Sequence, residues 1–255
     1  MFEHEAPATI GPRCLNGMAA NEMDGIINCF KPLGLTSARC LDRVRRITGQ
    51  RKSGHAGTLD PAADGVLVLC MGKATKLVEQ MMNLPKAYVA TARLDATSAS
   101  FDSERPLIPV DAPRVPSLAE VQAAGAAQVG DIMQMPPAVS ALKIGGRPAY
   151  ARERAGEQVE LKPRSVRVYG LEVTQYEWPV LTFSVRCGRG TYVRALIRDI
   201  GAALQAGGCL TGLRRMAVGP FVIEQAWTLE RLEAARPDEY LLGMEQAREL
   251  LAAAG

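Results

Sequence analysis

The sequence predicts an α+β fold, on three observations. Apolar residues recur at helical spacing in two stretches, Cys40-Leu41-Val44-Ile47 and Val193-Leu196-Ile197-Ile200-Leu204. The continuous apolar run Val66–Cys70 and the segments near 165–175 and 180–187 read as strands. Helices and strands mix without the strict alternation of a parallel-sheet protein. At 255 residues, 47% apolar and 22% charged, the chain can bury a sizeable core in one large domain or two small ones.

The elements follow in order. Residues 1 to 24 show no period and are expected to form a flexible arm. Gly25 to Phe30 reads as a short strand. Thr36 or Ser37 then caps a helix whose other face, with the next turn, carries Arg43, Arg45, Arg46, Arg51 and Lys52. Gly72 ends the Val66 strand, and a helix is expected near Ala74. Lys86 to Leu94 alternates as a strand does. Pro106 to Pro116 is a loop, and Ser117-x-x-Glu120 is a capping box that opens a helix. Residues 130 to 148, rich in Pro, Gly and Met, are expected to form a long exposed loop. Pro148 suits the first turn of a helix near 149–155. After the strand pair turning at Trp178-Pro179, Thr191 is expected to cap a helix stopped by Gly207-Gly208. A strand near 212–219 and C-terminal helices complete the chain.

Several chemistries are excluded by counting. Two histidines do not supply a His-rich metal site. The six cysteines form no C-x-x-C pair and read as buried thiols of a reducing compartment. No phosphate-binding P-loop or G-x-S-x-G elbow occurs. No apolar run is long enough to span a membrane, and the acidic start Met1-Phe2-Glu3-His4-Glu5 lacks a signal-peptide core. A cytoplasmic location is expected. The formal charge of +3 permits an anionic partner without demanding one.

Candidate chemistry gathers at two glycine-rich turns. The first is Gly54-His55-Ala56-Gly57-Thr58-Leu59-Asp60-Pro61. The proline biases Asp60 towards extended backbone, and its carboxylate suits a nucleophile, a base or a turn-former. His55 suits a ligand contact or a strand end. The second is Cys187-Gly188-Arg189-Gly190-Thr191-Tyr192-Val193-Arg194, a glycine pair leading into a helix N-terminus. Arg194 opposes the helix dipole there, which an anionic partner would explain. Basic residues recur at Lys143, Arg147, Arg152, Arg154, Lys162, Arg164, Arg167, Arg214 and Arg215. They fit a solvated face or an RNA backbone footprint. Tyr88 fits a core strand position or a stacking platform for a base.

In order along residues 25 to 222, these pieces resemble the TruB family of tRNA pseudouridine synthases. The likeness rests on Lys31-Pro32-x-Gly34-x-Thr36-Ser37, the Gly54–Pro61 run closed by Gly72-Lys73-Ala74-Thr75-Lys76, and Lys86-x-Tyr88. It continues through Gln134-x-Pro136-Pro137-x-x-Ser140-Ala141-x-Lys143, Cys187-x-x-Gly190-Thr191-Tyr192-x-Arg194 and Leu213-Arg214-Arg215. The resemblance implies the pseudouridine synthase fold, a mixed, mostly antiparallel sheet flanked by helices with a central RNA-binding cleft. It implies Asp60 as the catalytic aspartate, Arg194 as its partner, and Tyr88 stacked on the target uracil and assisting proton removal at C5. His55 would help displace the nucleotide, and Lys31 and Leu213 would line the pocket. Gly57, Thr58, Leu59, Lys76, Lys143, Tyr192 and Arg214 complete the implied RNA-binding set.

The implied partner is tRNA through its T arm, with uridine 55 of the T loop as target. The isomerisation involves no redox change, so no cofactor or metal is expected, nor any obligate protein partner. Asp95 and Ala99 stand where the family has glycine and aspartate, while Asp102 keeps the final acid of that run. Residues 223–255 are expected to form a short helical extension, without the PUA domain many members carry. An RNA-folding chaperone or binding module, and a related synthase acting on other RNA, are the competing readings.

Overall fold

A computed structural model of the chain describes residues 23–137, 143–144, 147–148 and 161–254. The expected arm up to residue 22 and the helix expected near 149–155 lie outside the described residues.

The chain opens with β1 (Gly25–Lys31) and α1 (Ser37–Thr48). Thr36 caps α1 by accepting a hydrogen bond from the Arg39 amide, and Gly49 ends it at φ 69°. β2 (Ser53–His55) and β3 (Ala63–Met71) flank the first glycine-rich turn. The helix expected near Ala74 divides into a 3₁₀ turn, Gly72–Leu77, and α2 (Val78–Asn83). β4 (Lys86–Arg93) precedes the short pair β5 (Ala96–Thr97) and β6 (Ile108–Pro109). α3 (Leu118–Ala126) starts at the Ser117/Glu120 capping box.

The described residues within 130–148 depart from the expected loop. Gly130–Gln134 is a strand, β7, and Lys143–Ile144 pairs with Arg147–Pro148 as β8 and β9. β10 (Arg164–Glu177) and β11 (Val180–Cys187) follow, then α4 (Val193–Ala203) and β12 (Cys209–Val218). β13 (Phe221–Val222), α5 (Leu229–Ala234), α6 (Pro237–Tyr240), β14 (Leu242–Gly243) and α7 (Met244–Ala254) complete the chain. The expected helical extension thus also carries a strand, and β14 pairs with β1 at the sheet edge.

Ten strands form one sheet in the order β14-β1-β3-β12-β4-β11-β10-β7, with β2 beside β3 and β13 beside β12. Among the described residues only the β3–β12 strand pairing is parallel; it joins Leu213–Arg215 to Ala63–Gly65. Backbones approach closely there, because a Cβ on Gly65 would lie 2.3 Å from the Arg215 carbonyl oxygen. Gly65 also takes φ +107°, so glycine is required on both counts.

The sheet is packed on its faces by helices. α3 and α4 bury Val121, Leu196, Ile197 and Ile200 against Ala90, Phe183 and Leu181. The apolar face of α1, Cys40, Leu41 and Val44, packs on Ile27, Leu67 and Leu69, and Ile47 lies at its margin. The opposite face of β1 and β3 buries Ile26, Val66 and Val68 with Met81 and Ala247. No helix of the described residues is long and apolar enough to cross a membrane.

Candidate active site

The turn between β2 and β3 presents Asp60. Ser37, at the first turn of α1, fixes it from below. Its buried hydroxyl accepts from the Leu59 amide at 2.8 Å and donates to the Leu59 carbonyl at 3.0 Å. The Gly34 amide donates to the Pro61 carbonyl at 2.8 Å, and the Ala62 amide to Glu104 Oε1 at 3.1 Å. Gly57 supplies the turn with φ +100°. Two separate segments, the Gly34–Ser37 stretch and Glu104, therefore hold the seven-residue turn between β2 and β3.

Arg194 approaches Asp60 from α4. Its Nη2 lies 2.9 Å from Asp60 Oδ2, and its Nη1 lies 3.2 Å from Asp102 Oδ2. Nη1 also donates to the Ser100 carbonyl at 3.1 Å. The cation at the start of α4 thus has two anionic partners, which offsets its unfavourable place on the helix dipole. Asp102 accepts from Ser100 Oγ at 2.5 Å and from the Glu104 amide at 3.0 Å. The 98–104 run, which departs from the family pattern at Ala99, is internally stitched around that acid. Asp95, in the glycine's place, pairs with Arg93.

α4 begins differently from the expectation. Its N-cap is Tyr192, without a side-chain cap, and the Thr191 hydroxyl instead donates to the Gly188 carbonyl. Buried Gln134, at the end of β7, takes over part of the capping role. It accepts from the Tyr192 amide at 2.8 Å and donates to the Tyr192 carbonyl at 3.2 Å. The helix ends at Leu204, before Gly207, where Gln205 adopts φ 54°.

Asp60, Asp102 and Arg194 share a small recess with Leu210 and Leu213. Tyr88 lies on the neighbouring strand, where β4 pairs with β12 in the register Ala90↔Leu213 and Tyr88↔Arg215. It packs at the margin of the same apolar cluster as Leu213. Burial raises the Asp60 pKa; Arg194 and Lys31 oppose the shift, and Asp102 adds to it. Burial likewise raises the Tyr88 phenol, against the pull of Arg215. A carboxylate aimed by a cation, a leucine in the same recess and a phenol on the neighbouring strand suit nucleophilic attack on a flat heterocycle or sugar.

The other expected residues divide. His55 is half-buried in β2; its Nδ1 is enclosed and has no hydrogen-bond partner among the described residues, and burial lowers its pKa. Thr58 and Lys76 are exposed, and Leu59 is buried. Lys31 does not open onto the recess as a free amine: it is fully buried and donates to the Pro32 and Leu35 carbonyls at 3.0 and 2.6 Å. Arg214 is bound to Asp64 through two hydrogen bonds of 2.8 and 2.7 Å. Lys143 lies in β8. Arg215, expected on a solvated face or an RNA backbone footprint, is instead 1% exposed and bonds the Asp60 turn. The available signal was the alternation of a strand, which turns Arg215 to the opposite side from exposed Arg214.

Residues 45–193 match the family model described as TruB family pseudouridylate synthase (N terminal domain). Residues 194–251 match that described as tRNA pseudouridylate synthase B C-terminal domain. A Burkholderia mallei (strain ATCC 23344) protein named tRNA pseudouridine synthase B is 43% identical over 231 residues, which is 91% of this chain and 73% of the relative. A Nocardia farcinica (strain IFM 10152) protein of the same name is 47% identical over 227 residues, 88% of this chain and 74% of the relative. Among solved structures, a chain of a Cbf5-Nop10-Gar1 complex superposes with TM-score 0.64 at 32% identity, covering 82% of this chain and 53% of that one. A chain of an H/ACA RNP bound to a substrate RNA containing 2'-deoxyuridine gives TM-score 0.66 at 27% identity, covering 90% and 62%. The chain therefore spans less than two thirds of either solved protein.

Proposed function

This chain belongs to the TruB family of RNA pseudouridine synthases, and on that premise we propose that it isomerises uridine 55 in the T loop of tRNA, with Asp60 as nucleophile. The observation that carries the assignment is the Asp60–Arg194 pair at 2.9 Å, in a recess that Leu213 also lines. Relatives at 43% and 47% identity bear the name tRNA pseudouridine synthase B, which supports tRNA as the substrate.

The reaction breaks C1′–N1 and makes C1′–C5. Asp60 attacks as the carboxylate, the bond it makes to the nucleotide breaks again before product leaves and returns the carboxylate, and Arg194 holds it charged and aimed. Tyr88 stacks on the uracil and exchanges protons with it. The target base must leave the loop stack before chemistry, and His55, the last residue of β2 before the turn, assists that displacement. Thr58, Lys76, Lys143 and Tyr192 are assigned to the RNA around it.

The test is incubation of the chain with unmodified tRNA transcript, followed by position-by-position mapping of pseudouridine. Signal at the T loop is expected, and its absence there refutes the substrate. Asp60→Asn should give no product while binding tRNA within a few-fold; full activity in that variant would sink the nucleophile assignment.

A further inference from the structure

Arg215 heads the fully buried side chains of the described residues by size, and the reaction outlined above gives it no part. Its Nε donates to the Val66 carbonyl at 2.7 Å, its Nη2 to Gly57 at 3.2 Å and its Nη1 to Thr58 at 3.4 Å. Gly57 and Thr58 lie on the turn that carries Asp60, and Val66 lies just beyond it. Among the described residues, no carboxylate lies within 4.0 Å of this guanidinium. Arginine does not shed its proton inside a protein. A full positive charge is therefore held in the interior and balanced chiefly by carbonyl dipoles, an arrangement that is costly to build. It faces Tyr88 directly across the β4–β12 register.

We propose that Arg215 is a positioning residue for the reaction: its buried charge stabilises the ionised form of Tyr88, and its bonds to Gly57 and Thr58 tie that tyrosine to the Asp60 turn. The proposal rests on the reading of Tyr88 as the group that faces the uracil. The proton count requires such a group. Uridine carries a hydrogen on C5 and none on N1, whereas pseudouridine carries one on N1 and none on C5. Tyr88 gives its hydroxyl proton to the ring as C1′–N1 breaks. The phenolate takes the C5 proton once C1′–C5 has formed, so no proton is gained or lost overall. A buried phenol resists that intermediate charge unless a cation stands beside it. Of the titratable and charged groups near Tyr88, Asp60 from the turn, Cys187 from β11 and Arg215 from β12 act on its hydroxyl, while Tyr169, Glu172 and Arg186 line an adjoining cavity. The first two favour the neutral phenol and Arg215 alone opposes them. Lys86, two residues earlier, directs its ammonium away to the Met82 and Leu84 carbonyls.

The experiment uses the full chain in single turnover, with tRNA transcripts carrying either hydrogen or deuterium at C5 of uridine. Arg215→Gln should slow conversion about a hundredfold with tRNA affinity held within about threefold, as loss of an aid to proton transfer does. Its 5-deuterium isotope effect should exceed that of the parent, because C5 deprotonation becomes rate-limiting. Arg215→Lys should recover part of the rate, and in a Tyr88→Phe background Arg215→Gln should cost little more. Equal slowing in the two backgrounds, or an unchanged isotope effect, would make Arg215 only a brace for the turn and overturn the proposal. If Arg215→Gln does not fold, by circular dichroism, Arg215→Lys carries the comparison; loss of folding in both also overturns it. Failure of a different kind, no pseudouridine from the parent or full rate in Tyr88→Phe, would refute the reading of the site beneath it.

Discussion

Asp60 and Arg194 form an unequal pair: the arginine side chain is 5% exposed, while the carboxylate it holds at 2.9 Å is 35% exposed. The buried partner is rigid, because Asp102 and the Ser100 carbonyl hold its other end. The open partner is left free to meet a substrate. This asymmetry suits Asp60, rather than Asp102, to the proposed role of nucleophile, since Asp102 is only 5% exposed on the same guanidinium.

Arg194→Ala should therefore fail in two measurable ways. It strands Asp102 without its cation, and breaking a buried pair of this kind costs about 3–5 kcal/mol. Urea unfolding should report that loss. Single-turnover conversion should fall far more than tRNA affinity, as removal of an interaction with the reacting group does. A loss of affinity with turnover intact would make Arg194 a phosphate contact.

The rate should also follow the ionisation of Asp60. Burial raises its pKa in the folded chain above the ordinary carboxylate value of 3.8, so the acid limb of the rate profile should lie above that value. In the proposed reaction the carboxylate is the attacking form, so activity should be lost as pH falls through the raised pKa. The stability sign is the reverse: the folded state holds this proton more tightly, so Asp60 weakens the fold as pH rises through the same range. Asp102 contributes to the rise, so Asp102→Asn should move the acid limb to lower pH. A limb that stays in place would show that another group sets it.

Much of this was legible in the sequence, and the exceptions share a cause. α1 and α3 follow from their periodicity and caps, and Asp60, Arg194 and Leu213 from their motifs. Residues 130–134 did not read as a strand, because β7 is short and its Met133 points outward, 67% exposed, while a polar Gln134 is buried. Gln134 is buried because it serves Tyr192, 58 residues away. The roles of Arg214 and Arg215 depend on the one parallel strand pairing, which brings them to Asp64 and the Asp60 turn across 150 residues or more. Local pattern carries no information about a partner at that separation, so both arginines read as surface charge.

Ser37→Ala tests whether the turn depends on α1. The hydroxyl satisfies both the N–H and the C=O of Leu59 in a buried place. Its removal leaves two backbone groups unpaired, at about 1–3 kcal/mol each if no water replaces it. Denaturant unfolding should show a loss in that range. Conversion should slow with tRNA affinity nearly unchanged, because Leu59 precedes Asp60. Full turnover at reduced stability would show that the remaining contacts suffice to hold the carboxylate.

The basic residues should contribute unequally to tRNA binding, because several are already neutralised. Arg214 is paired with Asp64, Arg167 with Asp131, Arg189 with Glu79 and Arg45 with Asp42. Arg39, Arg43, Arg46, Arg51, Lys52 and Lys76 are exposed and, among the described residues, carry no ion pair. Affinity for tRNA should fall with rising salt, with each phosphate contact adding up to about one to the slope of log affinity against log salt. Arg51→Ala and Lys52→Ala, on the approach to the His55 turn, should each reduce that slope by about one and weaken binding without slowing bound turnover. Arg214→Ala should change the slope less, because the arginine it removes is already matched by Asp64. Binding titrations at several salt concentrations decide the matter. If Arg214→Ala lowers the slope as much as Arg51→Ala does, the Asp64 pair opens to the RNA and the ranking fails.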